Sequence, residues 1–298
     1  MESLAGLPAE MSAYLPSHGH VAGMVGKLVL RLENNSLHGK TCIKEQYSKV
    51  PFIPSRALYL EEFFPSMAFV YIMSVSGGML RGDRYGIDIS LGNKATVHIT
   101  TQGATRIYRM EKDCALQDIN ITMEDGAYLE YIPDQIIPYS GSRFCQRSNL
   151  QVHDNATMVY SEVLAPGRMA GGESFKYDIC CLKTIARNHQ GKVRFIDAAI
   201  LEPSKMYLGL REAFGRFMLV GSIYILADRR HTLKLKKEIN TILQGRRKAA
   251  SSLLPDNSGI MVRFVGNNMT EIREIIYCVV KMVRKQVLGS PFSGIRKS

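Results

Sequence analysis

Carboxylates and hydroxyls recur at one place in a repeated sequence pattern. Thr100, Thr101 and Gln102 follow one strand-like run, Glu130 and Asp134 a second, and Ser161 and Glu162 a third, each group within seven residues of Ala95, Ala127 or Ala156. Such side chains, if they point inward, are too costly to bury dry and need one another, water or an ion. A hydrated channel meets that need, and strands that turn their carboxylates to solvent meet it equally. A third arrangement, with Asp83 and Glu130 as an acid/base pair of a hydrolase, requires the two to share one cleft.

Other signals for chemistry are weak. His38-Gly-Lys-Thr41 ends like a phosphate-binding loop, but the glycine required at position 34 is Asn34. No GxSxG, HExxH or GxGxxG occurs. The imidazoles of His18-Gly-His20 suit a borderline metal such as nickel, or belong to a tail. Six cysteines lie without a CxxC pair, and adjacent Cys180 and Cys181 would point to opposite faces of a strand. We therefore expect a binding or scaffolding protein rather than an enzyme, with no stable metal site and no tightly bound cofactor.

The elements that must position these residues are mainly strands. From Met24 to Leu201, short runs rich in Val, Ile, Tyr and Thr alternate in polarity and are separated by Gly, Asn and Asp. Three segments share the order strand, polar turn, Ala, strand, with the alanines at 95, 127 and 156. A period near 30 predicts stacked, solenoid-like β layers; a sandwich of hairpins would also give short strands and turns. In the C-terminal third, Leu233, Leu235, Ile239, Ile242 and Leu243 predict one helix, and the stripe from Ile272 to Val287 predicts another. Asn268 and Glu271 have capping-box spacing, and Gly289 and Pro291 supply the stop. Residues 259–265 read as a strand and 248–258 as an exposed loop. The fold class is mainly β with two helices in the C-terminal half, in a single domain over 1–298 whose first 23 residues are expected to be flexible.

The 298 residues carry a formal charge of +11, which favours nucleic acid, anionic membranes or acidic proteins. A basic nucleic-acid-binding β-protein is the rival reading, and it predicts steep salt dependence. The longest apolar run, residues 217–227, is too short to span a bilayer, and the first residues do not resemble a secretory signal, so a cytoplasmic location is expected.

Four ordered motifs carry more: Val75-Ser-Gly-Gly-Met-Leu-Arg-Gly-Asp83, Ile99-Thr-Thr-Gln-Gly-Ala-Thr-Arg-Ile-Tyr-Arg109, Leu129-Glu-Tyr-Ile-Pro-Asp-Gln-Ile-Ile-Pro-Tyr-Ser-Gly141, and Glu162-Val-Leu-Ala-Pro-Gly-Arg168 with Gly172-Glu-Ser-Phe175. From Gly26 to Arg284 the chain resembles the UreD family of urease accessory proteins, also called UreH. The resemblance implies a non-catalytic chaperone that binds the urease apoprotein and, through UreF, the GTPase UreG, so that nickel reaches the buried urease site. It implies a β-rich stack with paired helices, a polar internal tunnel, transient nickel, and neither nucleic-acid nor membrane partners. Gly77, Gly78, Gly82, Pro166, Gly167 and Arg168 match its structural motifs. Asp83, Thr100, Thr101, Thr105, Glu130 and Glu162 match its acidic and hydroxyl positions, and with Asp134 and Ser161 they are the candidates for the nickel path. Their oxygens suit brief binding of a hydrated divalent ion, which thiolates or imidazoles would hold too long. Arg106 stands where many relatives carry lysine, and the tryptophans common in relatives are absent from the whole chain.

Overall fold

The computed structural model describes residues 7–15, 23–35, 37, 39–205, 218–244, 248–292 and 294. His18-Gly-His20, Arg246-Arg247 and the terminal Arg296-Lys297 lie outside the described residues.

Strand β1 (Val25–Asn35) turns back into antiparallel β2 (Lys40–Lys49), and β3 (Phe52–Pro54) pairs with β4 (Ala68–Ser74). The chain then coils, laying one strand in each of two facing sheets per turn. The first turn is β5 (Arg84–Leu91) and β6 (Thr96–Thr101), followed by the short β7 (Thr105–Ile107). The second is β8 (Ala115–Met123) and β9 (Tyr128–Ile132), followed by β10 (Ile136–Pro138), which lies parallel to β7. The third is β11 (Arg143–Val152) and β12 (Thr157–Leu164). Beyond them β13 (Ile179–Arg187) pairs with antiparallel β14 (Val193–Leu201), and β15 (Leu219–Leu226), β16 (Ala249–Leu253) and β17 (Gly259–Gly266) extend the second sheet antiparallel. The strand order is β14-β13-β11-β8-β5-β1-β2 in the first sheet and β16-β17-β15-β12-β9-β6-β4-β3 in the second.

The pairs β5/β8, β8/β11, β6/β9 and β9/β12 are all parallel, which adjoining hairpins cannot give. The 30-residue period is thus the turn of a coil. Ala95, Ala127 and Ala156 sit buried at equivalent corners, stitched by hydrogen bonds of 2.8 Å from Tyr128 N to the Ala95 carbonyl and from Thr157 N to that of Ala127. A larger side chain at these corners would meet the next layer.

Helices α1 (Arg229–Leu243) and α2 (Met269–Val287) cover the outer face of the second sheet. Leu235, Ile239 and Leu243 of α1 and Ile272, Ile276, Val279 and Val283 of α2 join Phe69, Tyr128, Val159, Ile223 and Phe264 in one apolar layer, while Leu233 and Ile242 point outward. The Asn268 side chain accepts from Glu271 N at 3.0 Å, and the Glu271 carboxylate accepts from Asn267 N at 3.2 Å, which is the expected cap. Both faces of the second sheet are therefore buried, one against the first sheet and one against the helices.

Two expectations change in detail. Residues 249–253, read as loop, form the edge strand β16, whose pairing with β17 rather than its polar composition decides its conformation. Residues 9–14, within the segment expected to be flexible, form a 3-10 turn with Met11 fully buried beside Cys114, Cys145 and Cys181. Cys180 packs between the sheets and Cys181 on the outer face, as alternation requires. No described helix is long and apolar enough to cross a membrane.

Ala127→Leu should overpack its corner and cost about 1–3 kcal/mol in urea denaturation. Asn93→Ser at an exposed turn position should stay within about 0.5 kcal/mol of the parent.

Candidate functional site

Alternation along β12 sends Met158, Tyr160 and Leu164 into the space between the sheets, and Glu162 with them. Five side chains reach toward its carboxylate there. Gln146 Nε2 donates to Oε1 at 2.8 Å and Tyr160 OH at 2.7 Å. Ser148 Oγ approaches Oε1 at 3.4 Å, Thr184 Oγ1 lies 3.2 Å from both oxygens, and Tyr224 OH is 3.3 Å from Oε2. Gln117 extends the group by a 3.4 Å contact to the Gln146 amide oxygen. Every one of these partners is neutral. Burial therefore dominates and raises the Glu162 carboxyl above its ordinary value, although the hydrogen bonds from Tyr160, Thr184, Gln146 and Tyr224 oppose it. The ring stack Tyr131, Tyr160, Tyr224 and Phe195, with centroids 5.5, 5.8 and 5.1 Å apart, forms an aromatic wall beside it.

Glu162 borders two cavities. One of about 250 Å³ opens among Ser76, Gly77, Gly78, Gln102, Gly103, Thr105 and Arg106 and runs inward past Thr101, Asp134, Tyr131 and Gln146 to Glu162. The second, of about 160 Å³, lies between Glu162, Leu182, Asp197, Ser222, Tyr224 and Arg263. At this mouth Gly78 lets its segment pack closely on the Arg106 backbone, since a Cβ there would fall 2.6 Å from the Arg106 carbonyl oxygen.

Glu130 faces the other way. Its register partners are His98 and Val159, on the helix side of the second sheet. There Arg284 of α2 grips both carboxylate oxygens, Nε to Oε1 at 2.5 Å and Nη2 to Oε2 at 2.7 Å. Arg284 Nη1 donates to Glu61 at 2.5 Å, and its guanidinium lies 4.5 Å from the Phe292 ring centroid. Tyr128 OH donates to Glu130 at 2.7 Å, and His98 Nδ1 lies 2.6 Å from it and must carry a proton, because an ionised carboxylate can only accept. Burial works against this charge, yet the bonds from Arg284 and His98 outweigh it and hold the Glu130 carboxyl down at about 2.

The expected row of inward polar residues is thus divided. Thr101, Thr105, Asp134 and Glu162 line the first cavity, and Asp134 N donates to Thr101 Oγ1 at 2.8 Å. Thr100 is spent on the Ile132 carbonyl at 2.6 Å. Ser161 is buried with no hydrogen-bond partner for Oγ among the described residues. Asp83 locks a turn, accepting from Met24 N and Leu80 N at 2.8 Å each and from Tyr85 OH at 3.1 Å, with Gly82 at φ +79° completing the turn. Asp83, in the turn before β5 of the first sheet, and Glu130, in β9 of the second, have no hydrogen-bond partner in common, so the hydrolase pair is not assembled. Pro166 and Gly167 form a tight crossing, where Phe175 N donates to the Pro166 carbonyl at 2.7 Å and a Cβ on Gly167 would lie 2.8 Å from the Glu173 carbonyl oxygen. Arg168 pairs with Glu173 at 2.7 Å.

Sequence reasoning missed Tyr160, Tyr224, Gln146, Thr184, Asp197 and Arg263 around Glu162, and Arg284 with His98 and Glu61 around Glu130. Tyr160 was within reach, because it stands two residues before Glu162 on one strand. The others come from strands, a helix and, for Glu61, the connection between β3 and β4, whose placement no local pattern reveals.

A family model described as UreD urease accessory protein matches residues 24–297. The chain is 41% identical over 278 residues to the urease accessory protein UreD of Cenarchaeum symbiosum, covering 92% of this chain and 98% of the relative. It is 33% identical over 273 residues to UreD of Photorhabdus laumondii (90% and 85% covered) and 34% identical over 273 residues to UreD 2 of Brucella suis (90% of both).

The two glutamates should respond oppositely to neutralisation. Glu130 has a depressed folded value, so its stabilisation is present above about 4.5 and lost as pH falls towards 2. Glu130→Gln should therefore cost about 3–5 kcal/mol at pH 7 and flatten the acid side of the stability curve. Glu162 has a raised folded value, so its charge lowers stability above that value and the deficit fades as pH falls to about 4.5. Glu162→Gln should be neutral or stabilising by about 1 kcal/mol at pH 7 in urea titrations.

Proposed function

The chain belongs to the UreD family of urease accessory proteins, and from that premise we propose that it is a non-catalytic chaperone of urease maturation that passes nickel towards the urease active site between its two β-sheets. The observation that carries this reading is the position of Glu162 in the wall of both cavities. Its carboxylate is surrounded by amide and hydroxyl groups and by no compensating cation among the described residues. A buried carboxylate in that state has an unmet demand for positive charge, which a passing divalent ion can meet.

The ligand set favours transfer over storage. Carboxylate, hydroxyl and amide oxygens bind a hydrated divalent ion weakly and exchange it, whereas sulfur and imidazole ligands would retain nickel. Thr101 and Thr105 offer hydroxyl oxygens along the first cavity, and Asp134, paired with Arg273 at 3.5 Å, lines it beside them. In this reading the urease apoprotein and UreF are the direct partners, and UreG is reached through UreF. Glu130 serves as an anchor rather than a station, because its oxygens are already filled by Arg284, His98 and Tyr128.

Co-expression of the urease subunits with UreF, UreG and this chain gives the test. Glu162→Gln should lower the nickel content of purified urease severalfold while the variant still co-elutes with apo-urease. Full nickel loading with the Glu162→Gln, Thr101→Val double variant would sink the proposed path.

A further inference from the structure

The second cavity ends at an ion pair that a cation path would not be expected to tolerate in its mouth. Arg263 of β17 and Asp197 of β14 meet across the gap between the sheets, with Arg263 Nη2 donating to Asp197 Oδ1 at 2.7 Å and Oδ2 at 2.6 Å. Arg263 Nη1 also donates to Ser222 Oγ at 2.5 Å. Both residues line the cavity that reaches Glu162, and the Arg263 side chain is 49% exposed against 16% for Asp197. Tyr224 OH connects the two carboxylates, bonding Asp197 on one side and lying 3.3 Å from Glu162 on the other.

The placement has an electrostatic consequence. A fixed guanidinium repels a divalent cation with twice the energy it exerts on a monovalent one, and within a narrow mouth that repulsion acts as a barrier. The partner carboxylate that could attract the ion is already occupied by the same guanidinium. A half-exposed pair of this kind is weakly held and exchanges readily, so the barrier can be lifted by moving one side chain.

We propose that Arg263, held by Asp197 and Ser222, is a charge-selective gate that keeps divalent cations from crossing the β14–β17 mouth of the cavity at Glu162. The inference rests on the nickel path proposed above and adds a residue that controls it. Arg263 acts here through its own charge, held in place by Asp197 and Ser222, and is not a ligand of the ion.

The chain has no tryptophan, so Phe195→Trp, at the ring stacked on Tyr224 with centroids 5.1 Å apart, places a single selectively excited reporter beside the cavity at Glu162, and every variant is compared in that background. Quenching of the full-length protein by Ni²⁺ is compared with quenching by neutral acrylamide. Arg263→Gln should raise the Ni²⁺ quenching constant about tenfold with acrylamide unchanged, and Arg263→Lys, which keeps the charge, should behave as the parent. A parallel rise for both quenchers would show that Arg263 only packs the mouth, and no rise for either would show that it guards nothing; both outcomes overturn the gate. Failure of the path itself is read separately, from normal urease nickel loading with the Glu162→Gln, Thr101→Val variant.

Discussion

The guanidinium of Arg284, 1% exposed, is the pin on which the layering of this molecule depends. Stripping a guanidinium of water costs several kcal/mol, and only a full set of partners offsets that. Here Glu130 and Glu61 supply carboxylates from 154 and 223 residues away in the sequence, and Phe69 and Phe292 supply ring faces. The Nδ1–H of His98 and the hydroxyl of Tyr128 supply the remaining donors to Glu130. This knot fixes α2 to the second sheet at one register. With the helices seated, the second sheet has no wet face, and whatever points between the sheets is enclosed.

That enclosure gives the two glutamates their different characters. Glu130 and Glu162 are both carboxylates on neighbouring parallel strands, and both are nearly inaccessible. One is neutralised by its surroundings and contributes to stability. The other is surrounded by dipoles alone, so burial keeps its carboxyl above the ordinary value.

The coil was legible in the sequence because its corner alanines recur and the alternating runs flank them. The cap at Asn268 and the opposed faces of Cys180 and Cys181 were legible for the same local reasons. The division of the polar row was legible too, but only by parity. Glu130 is three residues beyond its alanine and Glu162 is six, so the two must point to opposite faces, whereas Thr101, six beyond Ala95, shares the face of Glu162. A window of six or seven residues merges the faces and hides this. The groups that complete each site were not legible, since Arg284 lies 154 residues from Glu130 and Tyr224 lies 62 from Glu162. Pairings over such separations are set by tertiary register rather than by any short-range pattern.

The parallel coil also sets a ruler for the interior. The first cavity draws its walls from strands between β3 and β12, and the second from strands between β12 and β17, so both extend along the stacking direction. Neighbouring strands are spaced by about 4.8 Å. The length of any passage between the sheets therefore changes in whole steps of that spacing as coils are gained or lost. The antiparallel strands β14 and β15 to β17 end the series, as a terminal repeat ends a stack. Chain length in such a molecule measures distance, and the number of coils determines how far apart the two ends of the interior can stand.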